Sequence, residues 1–202
     1  MSEAIQKEKT LAKCERLWQD ADQLWDRFAE DTDFEQYVSA DYELVFAALW
    51  QLRGKLQHVL EWGSGLGVVT LMAAEMGFDA YGIEAEPRLV DFAEVLAERY
   101  DIEARFATGS FIPDEFEWSP SCEDSAERTM MLDGAAAYSD LDMELRDFDL
   151  VYAYPWPDEH KLYRSIMEGH AAPHALLLTY DGREGMDTWR SGDDRLTSFG
   201  AT

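Results

Sequence analysis

Cysteine and histidine are scarce in this chain of 202 residues, which holds two cysteines, Cys14 and Cys122, and four histidines. Two thiols provide no disulfide framework, and the histidines are too scattered to nominate a zinc site, so we expect no bound metal. The sequence also lacks any run near the roughly 18 apolar residues of a membrane span. The first residues do not contain the apolar core of about 7–15 residues that marks a signal peptide, so we expect a cytoplasmic protein.

Basic residues are few as well. The chain has 17 Lys and Arg against 42 Asp and Glu, which gives a formal net charge of −25 at pH 7. A field of this sign repels nucleic-acid phosphates and anionic membrane surfaces. We therefore expect neither a nucleic acid nor a membrane among the partners. Hydrophobic residues make up 47% of the sequence, which is ordinary for one globular domain.

Glycine, by contrast, is concentrated in one short stretch that directly follows an apolar run. Residues 59–62 predict a strand, glycines occupy positions 63, 65 and 67, and a helical run from Val68 to Met76 comes next. In α/β folds this order of elements builds nucleotide sites, because glycine allows positive φ and a close approach of the ligand to the backbone. The free amides at the helix start then face the ligand. The spacing fits the dinucleotide fingerprint poorly, since its sixth position is Val68, and the chain has no P-loop sequence.

A second acidic signal follows at Glu84, which ends the next predicted strand, 79–84. An acid at the tip of the second strand commonly hydrogen-bonds the ribose of a nucleotide in folds of this kind. A carboxylate accepts two such bonds, so it selects a ribose with free hydroxyls.

The stretch Glu61-Trp62-Gly63-Ser64-Gly65-Leu66-Gly67 resembles the E/D-x-G-x-G-x-G signature of class I S-adenosylmethionine-dependent methyltransferases. The resemblance covers roughly residues 36–181, through the order and spacing of elements. It implies that S-adenosylmethionine is the cofactor and that the loop cradles its amino-acid end. At the tip of the third strand this family often has an acid that binds adenine, where this chain has Gly109-Ser110-Phe111. Here we expect Ser110 to bond the adenine ring and Phe111 to stack on it. The implied cofactor contacts are Glu61, Gly63, Ser64, Gly65, Gly67, Glu84, Ser110 and Phe111.

Strand and helix patterns alternate from His58 to Tyr180, which predicts a mainly parallel sheet with right-handed crossovers. With the resemblance, we expect a single Rossmann-like, doubly wound α/β domain over 1–202, with the strand order 3-2-1-4-5. Two amphipathic helices in residues 1–55 precede its core, which spans 56–181. An insertion at 112–147 is either a solvated crossover or a substrate-facing segment. The family usually adds an antiparallel hairpin at the end of the sheet, but residues 182–202 look like a polar tail, so we expect a truncated edge.

The acceptor side is predicted at Tyr154-Pro155-Trp156-Pro157, after the fourth strand, because the tips of strands one and four meet the same ligand. This turn partly resembles the Asp/Asn/Ser-Pro-Pro-aromatic motif of some amino-group methyltransferases, but it lacks the polar first residue. Methyl transfer depends on alignment of the reactants, and an aromatic ring near the sulfonium adds cation–π stabilisation. Tyr154 and Trp156 are therefore the predicted catalytic residues. If the acceptor must first lose a proton, Asp158, Glu159 and His160 are near enough in sequence to accept it.

Two functions of different class remain open. The first is a methyltransferase that acts on a small molecule or a protein side chain, and a faint resemblance to compact seven-strand protein-lysine methyltransferases is compatible with the latter. The second is a non-catalytic module that has kept the cofactor site or only the fold. A nucleotide-binding oxidoreductase is disfavoured by Val68.

Overall fold

A computed structural model describes residues 2–28, 39–117, 137–156, 159–181 and 185–199. Its strands are β1 (His58–Trp62), β2 (Asp79–Glu84), β3 (Arg105–Thr108), β4 (Leu150–Ala153), β5 (Leu176–Asp181), β6 (Gly185–Arg190) and β7 (Asp193–Phe199). Its α-helices, within these ranges, are α1 (Glu3–Phe28), α2 (Tyr42–Leu52), α3 (Val68–Glu75), α4 (Pro87–Tyr100) and α5 (His160–His170). None of the described helices is both long and apolar enough to cross a bilayer.

The strands form one seven-stranded sheet in the order β3-β2-β1-β4-β5-β6-β7. The strand pairs β1–β2, β1–β4, β2–β3 and β4–β5 are all parallel. The predicted order 3-2-1-4-5 and the Rossmann-like α/β class are therefore confirmed. The order reverses between β1 and β4, and ligands of such sheets bind outside the carboxyl ends of the strands at that point.

Helices cover both faces of the sheet, and the alternation of side chains along β1 assigns each residue to a face. Val59 belongs to a core shared with α1, α2, α3 and α4. Leu60 and Trp62 belong to a second core, shared with α5 and with the short 3₁₀ helix Ala137–Leu141. Glu61, which lies between them in sequence, therefore projects to the same side as Val59, toward α3.

The C-terminal edge of the sheet departs from the prediction. β6 pairs with β5, and β7 with β6, both antiparallel. The expected truncation and the polar tail at 182–202 are therefore wrong, because residues 185–199 form the hairpin. Its pattern is weak in sequence, since in β6 only Met186 and Thr188 are buried. The turn at 191–192 is short, and Gly192 adopts a φ of 77° there.

The two predicted N-terminal helices are present, and α1 packs against the helix that follows the glycine loop. Lys13 Nζ lies 2.5 Å from Glu75 Oε2, and Trp18 Nε1 donates to Met72 Sδ at 2.9 Å. The N-cap of α2 is Asp41, whose carboxylate accepts the N–H groups of residues 43 and 44 at 3.1 and 3.2 Å.

At the opposite end of the sheet from the glycine loop, Asp149 ties the starts of β1 and β4 together. Its Oδ2 accepts the N–H groups of Gln57 at 2.8 Å and His58 at 3.0 Å. Its Oδ1 lies 3.2 Å from Nε2 of His174. Burial raises the pKa of Asp149, but the bonds from His58, Gln57 and His174 outweigh it, so the pKa lies below its ordinary value.

The insertion predicted at 112–147 is described only at its two ends. The sequence predicts at most one short helix in this insertion, around 121–131, and that stretch lies outside the described residues. The final part of the insertion forms two 3₁₀ helices, Ala137–Leu141 and Leu145–Asp147, which pack on the sheet face that α5 covers.

Candidate active site

The glycine loop between β1 and α3 has the left-handed backbone that its sequence predicts. Gly63, Gly65 and Gly67 have φ values of 68°, 53° and 72°. At Gly67 an added Cβ would lie 2.7 Å from the Phe106 ring and 2.8 Å from Ala93 Cβ, so this glycine permits close packing of α3 on its neighbours. At Gly63 an added Cβ would meet no atom within 4 Å. The loop is thus packed at its helix end and open at its strand end.

Glu61 lies beneath this loop and caps the start of α3 from the strand. It is 5% exposed. Its Oε2 accepts the Thr70 N–H at 2.8 Å and the Thr70 hydroxyl at 2.6 Å. Gly67, the formal N-cap, offers no side chain, so Glu61 satisfies an amide that the helix leaves free. Burial raises the pKa of Glu61 to about 8, with a further increase from Glu84, although the bonds from Thr70 lower it.

Glu84 holds the loop from the neighbouring strand. Its Oε2 accepts the Gly65 N–H at 2.8 Å. Its Oε1 accepts the N–H groups of Ala85 at 2.7 Å and Glu86 at 3.0 Å. Three of the about four acceptor positions of a carboxylate are therefore used by backbone amides. The side chain is half-buried at the carboxyl end of β2, where the predicted ribose contact requires it to be.

Ser64 provides an observation that the chain itself does not explain. Its backbone is fixed, because its N–H donates to Ile83 O at 3.0 Å and its carbonyl accepts the Gly67 N–H at 2.7 Å. Its hydroxyl is buried, yet it has no hydrogen-bond partner within the described part of the chain. A buried polar group without a partner points to water or a ligand.

Gly82, in the middle of β2, belongs to the same arrangement and was missed from the sequence. A Cβ there would lie 2.8 Å from Ser64 Oγ and 2.7 Å from the Phe106 ring. The signal was available, because a glycine inside a strand pattern often marks a close approach of another group.

At the tip of β3, the structure gives the two predicted adenine contacts intramolecular roles. Ser110 is 2% exposed, and its hydroxyl accepts the Ile112 N–H at 3.1 Å. The Phe111 ring stacks on Trp62 with the centroids 4.9 Å apart. The adenine contacts predicted for these side chains stay predictions, and the geometry favours packing for both.

A buried aromatic cluster, formed by Trp62, Phe111, Tyr138 and Tyr163, supports the loop from the other face of the sheet. Trp62 Nε1 donates to the Tyr138 hydroxyl at 3.1 Å, and that hydroxyl donates to Phe111 O at 2.6 Å. The Tyr163 ring meets Trp62 edge-on at 5.5 Å. The contacts of Tyr138 and Tyr163 with Trp62 were not predicted from the sequence, because both tyrosines approach β1 from distant segments.

The tip of β4 lies next to the glycine loop, since Ala153 pairs with Trp62 in the sheet register. The Tyr154 ring packs edge-on against Tyr180 with the centroids 4.8 Å apart. Pro155 is buried, whereas the Trp156 side chain is 44% exposed. The structure thus brings the predicted acceptor residues to the same edge of the sheet as the predicted cofactor residues.

The three candidate bases differ in accessibility. Glu159 is only 2% exposed, and its Oε2 accepts the Trp156 N–H at 3.0 Å. His160, the first residue of α5, is half-buried, and Asp158 lies outside the described residues. Among the residues that are described, no three His, Cys, Asp or Glu side chains are grouped to hold a metal ion.

No protein-family model matches the sequence, and no curated protein matches it. Solved structures do match. An O-methyltransferase from Bacillus cereus in complex with SAH superposes with a TM-score of 0.50 at 17% identity, covering 83% of this chain and 65% of that one. A putative caffeoyl-CoA O-methyltransferase from Staphylococcus aureus gives a TM-score of 0.50 at 14% identity, covering 78% of this chain and 64% of the other.

The chain therefore has the class I S-adenosylmethionine-dependent methyltransferase fold. It spans slightly less than two thirds of the length of these two proteins, which it matches at 65% and 64%. At identities of 17% and 14% the similarity is one of fold.

Proposed function

We propose that the chain binds S-adenosylmethionine at the carboxyl ends of β1 and β2 and transfers its methyl group to an acceptor that enters beside β4. One observation carries the proposal: an open glycine loop, held by two carboxyl groups, contains the buried Ser64 hydroxyl, which has no partner in the described chain. The fold adds support, since a protein of the same fold is complexed with SAH.

In the proposed complex, the open backbone at Gly63 and the Ser64 hydroxyl contact the amino-acid end of the cofactor. Glu84 accepts a hydrogen bond from the ribose at the acceptor position that the backbone amides leave free, and Glu61 holds α3 and the loop in place from below. The cofactor supplies an electrophilic methyl group on a sulfonium centre. The chain supplies alignment, because in-line displacement needs the two reactants held in one geometry more than it needs acid or base assistance.

The acceptor side of the proposal rests on Trp156. Its side chain is exposed three residues past the end of β4, while Tyr154 is committed in part to Tyr180. An exposed ring at this position contacts the acceptor or covers the methyl group as it transfers. The acceptor is a small molecule or a protein side chain, and the net charge of −25 disfavours a polyanion. If a proton must be removed, His160 is the candidate base, because Glu159 is buried.

A non-catalytic cofactor-binding module is the second candidate. It is favoured by the tip of β4, where Ala153 and Pro155 provide no polar side chain to orient an acceptor. Calorimetry with SAH and a methyl-transfer assay with labelled S-adenosylmethionine distinguish the candidates. An enzyme binds SAH and transfers label to at least one amine, hydroxyl or peptide of a screening panel. A module binds SAH and transfers none, and failure to bind SAH at about millimolar concentration contradicts both.

A further inference from the structure

We propose that Glu159 is a positioning residue that holds the Trp156 indole at the open end of β4, where the acceptor enters. The role of the indole in transfer rests on the proposed function, whereas its placement by Glu159 rests on the geometry of the turn.

Two hydrogen bonds join these residues in opposite directions. The Trp156 N–H donates to Glu159 Oε2 at 3.0 Å. The Glu159 N–H donates to Trp156 O at 2.9 Å. This reciprocal pattern matches the part of a capping box in which a glutamate side chain reaches back three residues. Both backbone polar groups of Trp156 are thus bound by one residue, and the buried Pro155 fixes the chain on the other side.

The difference in burial between the partners argues for a purpose beyond helix capping. Glu159 is 2% exposed, whereas Trp156 is 44% exposed. Glu159 is the N-cap of α5, but its side chain makes no capping bond to that helix. A glutamate normally lies in water, and burying its carboxylate is costly unless it is hydrogen-bonded. Here a buried, charged residue fixes the backbone from which an apolar ring projects into solvent. The bonds between Glu159 and Trp156 thus present the Trp156 ring to solvent.

Contacts beneath Glu159 connect this turn to the glycine loop. The Tyr163 N–H donates to Glu159 O at 3.1 Å, so the two residues are joined through the backbone at the start of α5. The Tyr163 ring packs on Trp62, which lies inside the glycine motif. Glu159 therefore fixes Trp156 relative to the loop. Its burial also removes it from acceptor protons, which a general base must reach directly or through one water.

The test uses ¹⁹F NMR of the full chain labelled with 5-fluorotryptophan, which reports each of the seven tryptophans. The Trp156 and Trp62 resonances are assigned from their loss in Trp156→Phe and Trp62→Phe. We expect Glu159→Ala to move the Trp156 resonance and its solvent isotope shift while the Trp62 resonance stays in place. Glu159→Gln keeps an acceptor oxygen and is expected to retain the wild-type Trp156 signal. The matched control is Glu168→Ala, an exposed glutamate of the same helix.

An unchanged Trp156 resonance in Glu159→Ala overturns the proposal. So do equal shifts of Trp156 and Trp62, because Glu159 is then a general packing residue. If Glu159→Ala does not fold, Glu159→Asp replaces it: withdrawing the oxygens by one methylene is expected to move the Trp156 signal, and no movement overturns the proposal. SAH affinity of the folded variants is expected to stay within about twofold of wild type. Loss of SAH binding in the wild type contradicts the proposed function but leaves the NMR result to decide the positioning role.

Discussion

Glu61 and Thr70 are joined by two hydrogen bonds across the start of α3, at 2.8 Å to the amide and 2.6 Å to the hydroxyl. On the other side of the loop, Glu84 accepts the Gly65 N–H at 2.8 Å. The glycine loop is therefore held between two carboxyl groups, one buried below it and one half-buried beside it. Glu84 bonds the Gly65 amide and Glu61 bonds the Thr70 amide, and a ligand at the loop must approach the same backbone. We therefore expect changes at either residue to affect both folding stability and ligand binding.

The buried Glu61 makes stability depend on pH. Its pKa is about 8 in the folded chain against an ordinary value of 4.5. Because the folded pKa is raised, the folded state holds the proton more tightly. This contribution to stability is complete below the ordinary pKa and is lost as pH rises through about 8. Glu61→Gln should abolish the decline, which has a slope of at most about 1.4 kcal/mol per pH unit.

Urea unfolding at several pH values between about 5 and 8 measures this effect. Glu98→Gln, an exposed glutamate on α4, is the control and should keep the wild-type pH dependence. If Glu61→Gln and wild type lose stability in parallel as pH rises, Glu61 is ionised in the folded chain and the account of its burial is wrong.

Glu84→Ala should reduce both stability and cofactor affinity. Removing the carboxylate leaves three backbone amides without their acceptor and removes the proposed ribose contact. Each effect is expected to be about 1–3 kcal/mol, since the bonds are charge-assisted. Glu86→Ala separates the two effects: Glu86 accepts the Arg88 N–H at 3.1 Å and caps α4, so its loss lowers stability by about 1 kcal/mol without touching the ligand. Equal SAH affinities for both variants, measured by calorimetry, would exclude Glu84 from the site.

Trp156→Ala should lower methyl transfer much more than SAH affinity, because the proposal places the exposed indole on the acceptor side. The variant should fold with a modest loss of stability, since Trp156 is 44% exposed and the rest of its surface is buried. The measurement pairs SAH calorimetry with turnover on an acceptor identified by screening. Equal losses in affinity and turnover place Trp156 in the cofactor site instead.

Asp149 should make the fold sensitive to acid. Its pKa is lowered, so the stability it contributes is present above the ordinary value of 3.8 and is lost as pH falls through the folded pKa. Asp149→Ala removes the acceptor of two β1 amides and is expected to cost about 1–3 kcal/mol near neutral pH. Thermal unfolding should show the wild-type advantage shrinking toward pH 3, whereas Asp91→Ala, an exposed aspartate on α4, should show little change. An advantage that persists undiminished in acid contradicts the assignment.

Much of the fold was predictable because its signals are local. The glycines at 63, 65 and 67 mark a turn that only positive φ permits, and apolar runs ending at Glu61 and Glu84 place two parallel strands. The hairpin of β6 and β7 was missed because an edge needs few apolar residues, and β6 buries only Met186 and Thr188.

The site was less predictable, since its contacts join distant parts of the chain. Glu61 reaches Thr70 across the loop, and Tyr138 reaches Trp62 from beyond the insertion. Glu159 was read as a candidate base because its position in sequence does not reveal its burial. Whether a carboxylate faces a ligand or the core depends on packing, which residue order alone does not determine.

Binding of the cofactor by the glycine loop can be tested at two glycines with similar backbone conformations. Gly63 and Gly77 both have positive φ, at 68° and 94°, and at both an added Cβ meets no atom within 4 Å. Valine at either position therefore carries a similar backbone strain, of about 1–2 kcal/mol, but Gly63 faces the proposed ligand and Gly77 lies beyond the far end of α3.

Cofactor binding by the loop is tested by the SAH affinity of Gly63→Val and Gly77→Val, measured by calorimetry beside the wild type. We expect similar losses of thermal stability in both variants. We also expect an SAH affinity reduced at least about tenfold in Gly63→Val alone, which corresponds to about 1.4 kcal/mol. Equal SAH affinities in the two variants would contradict cofactor binding by the loop.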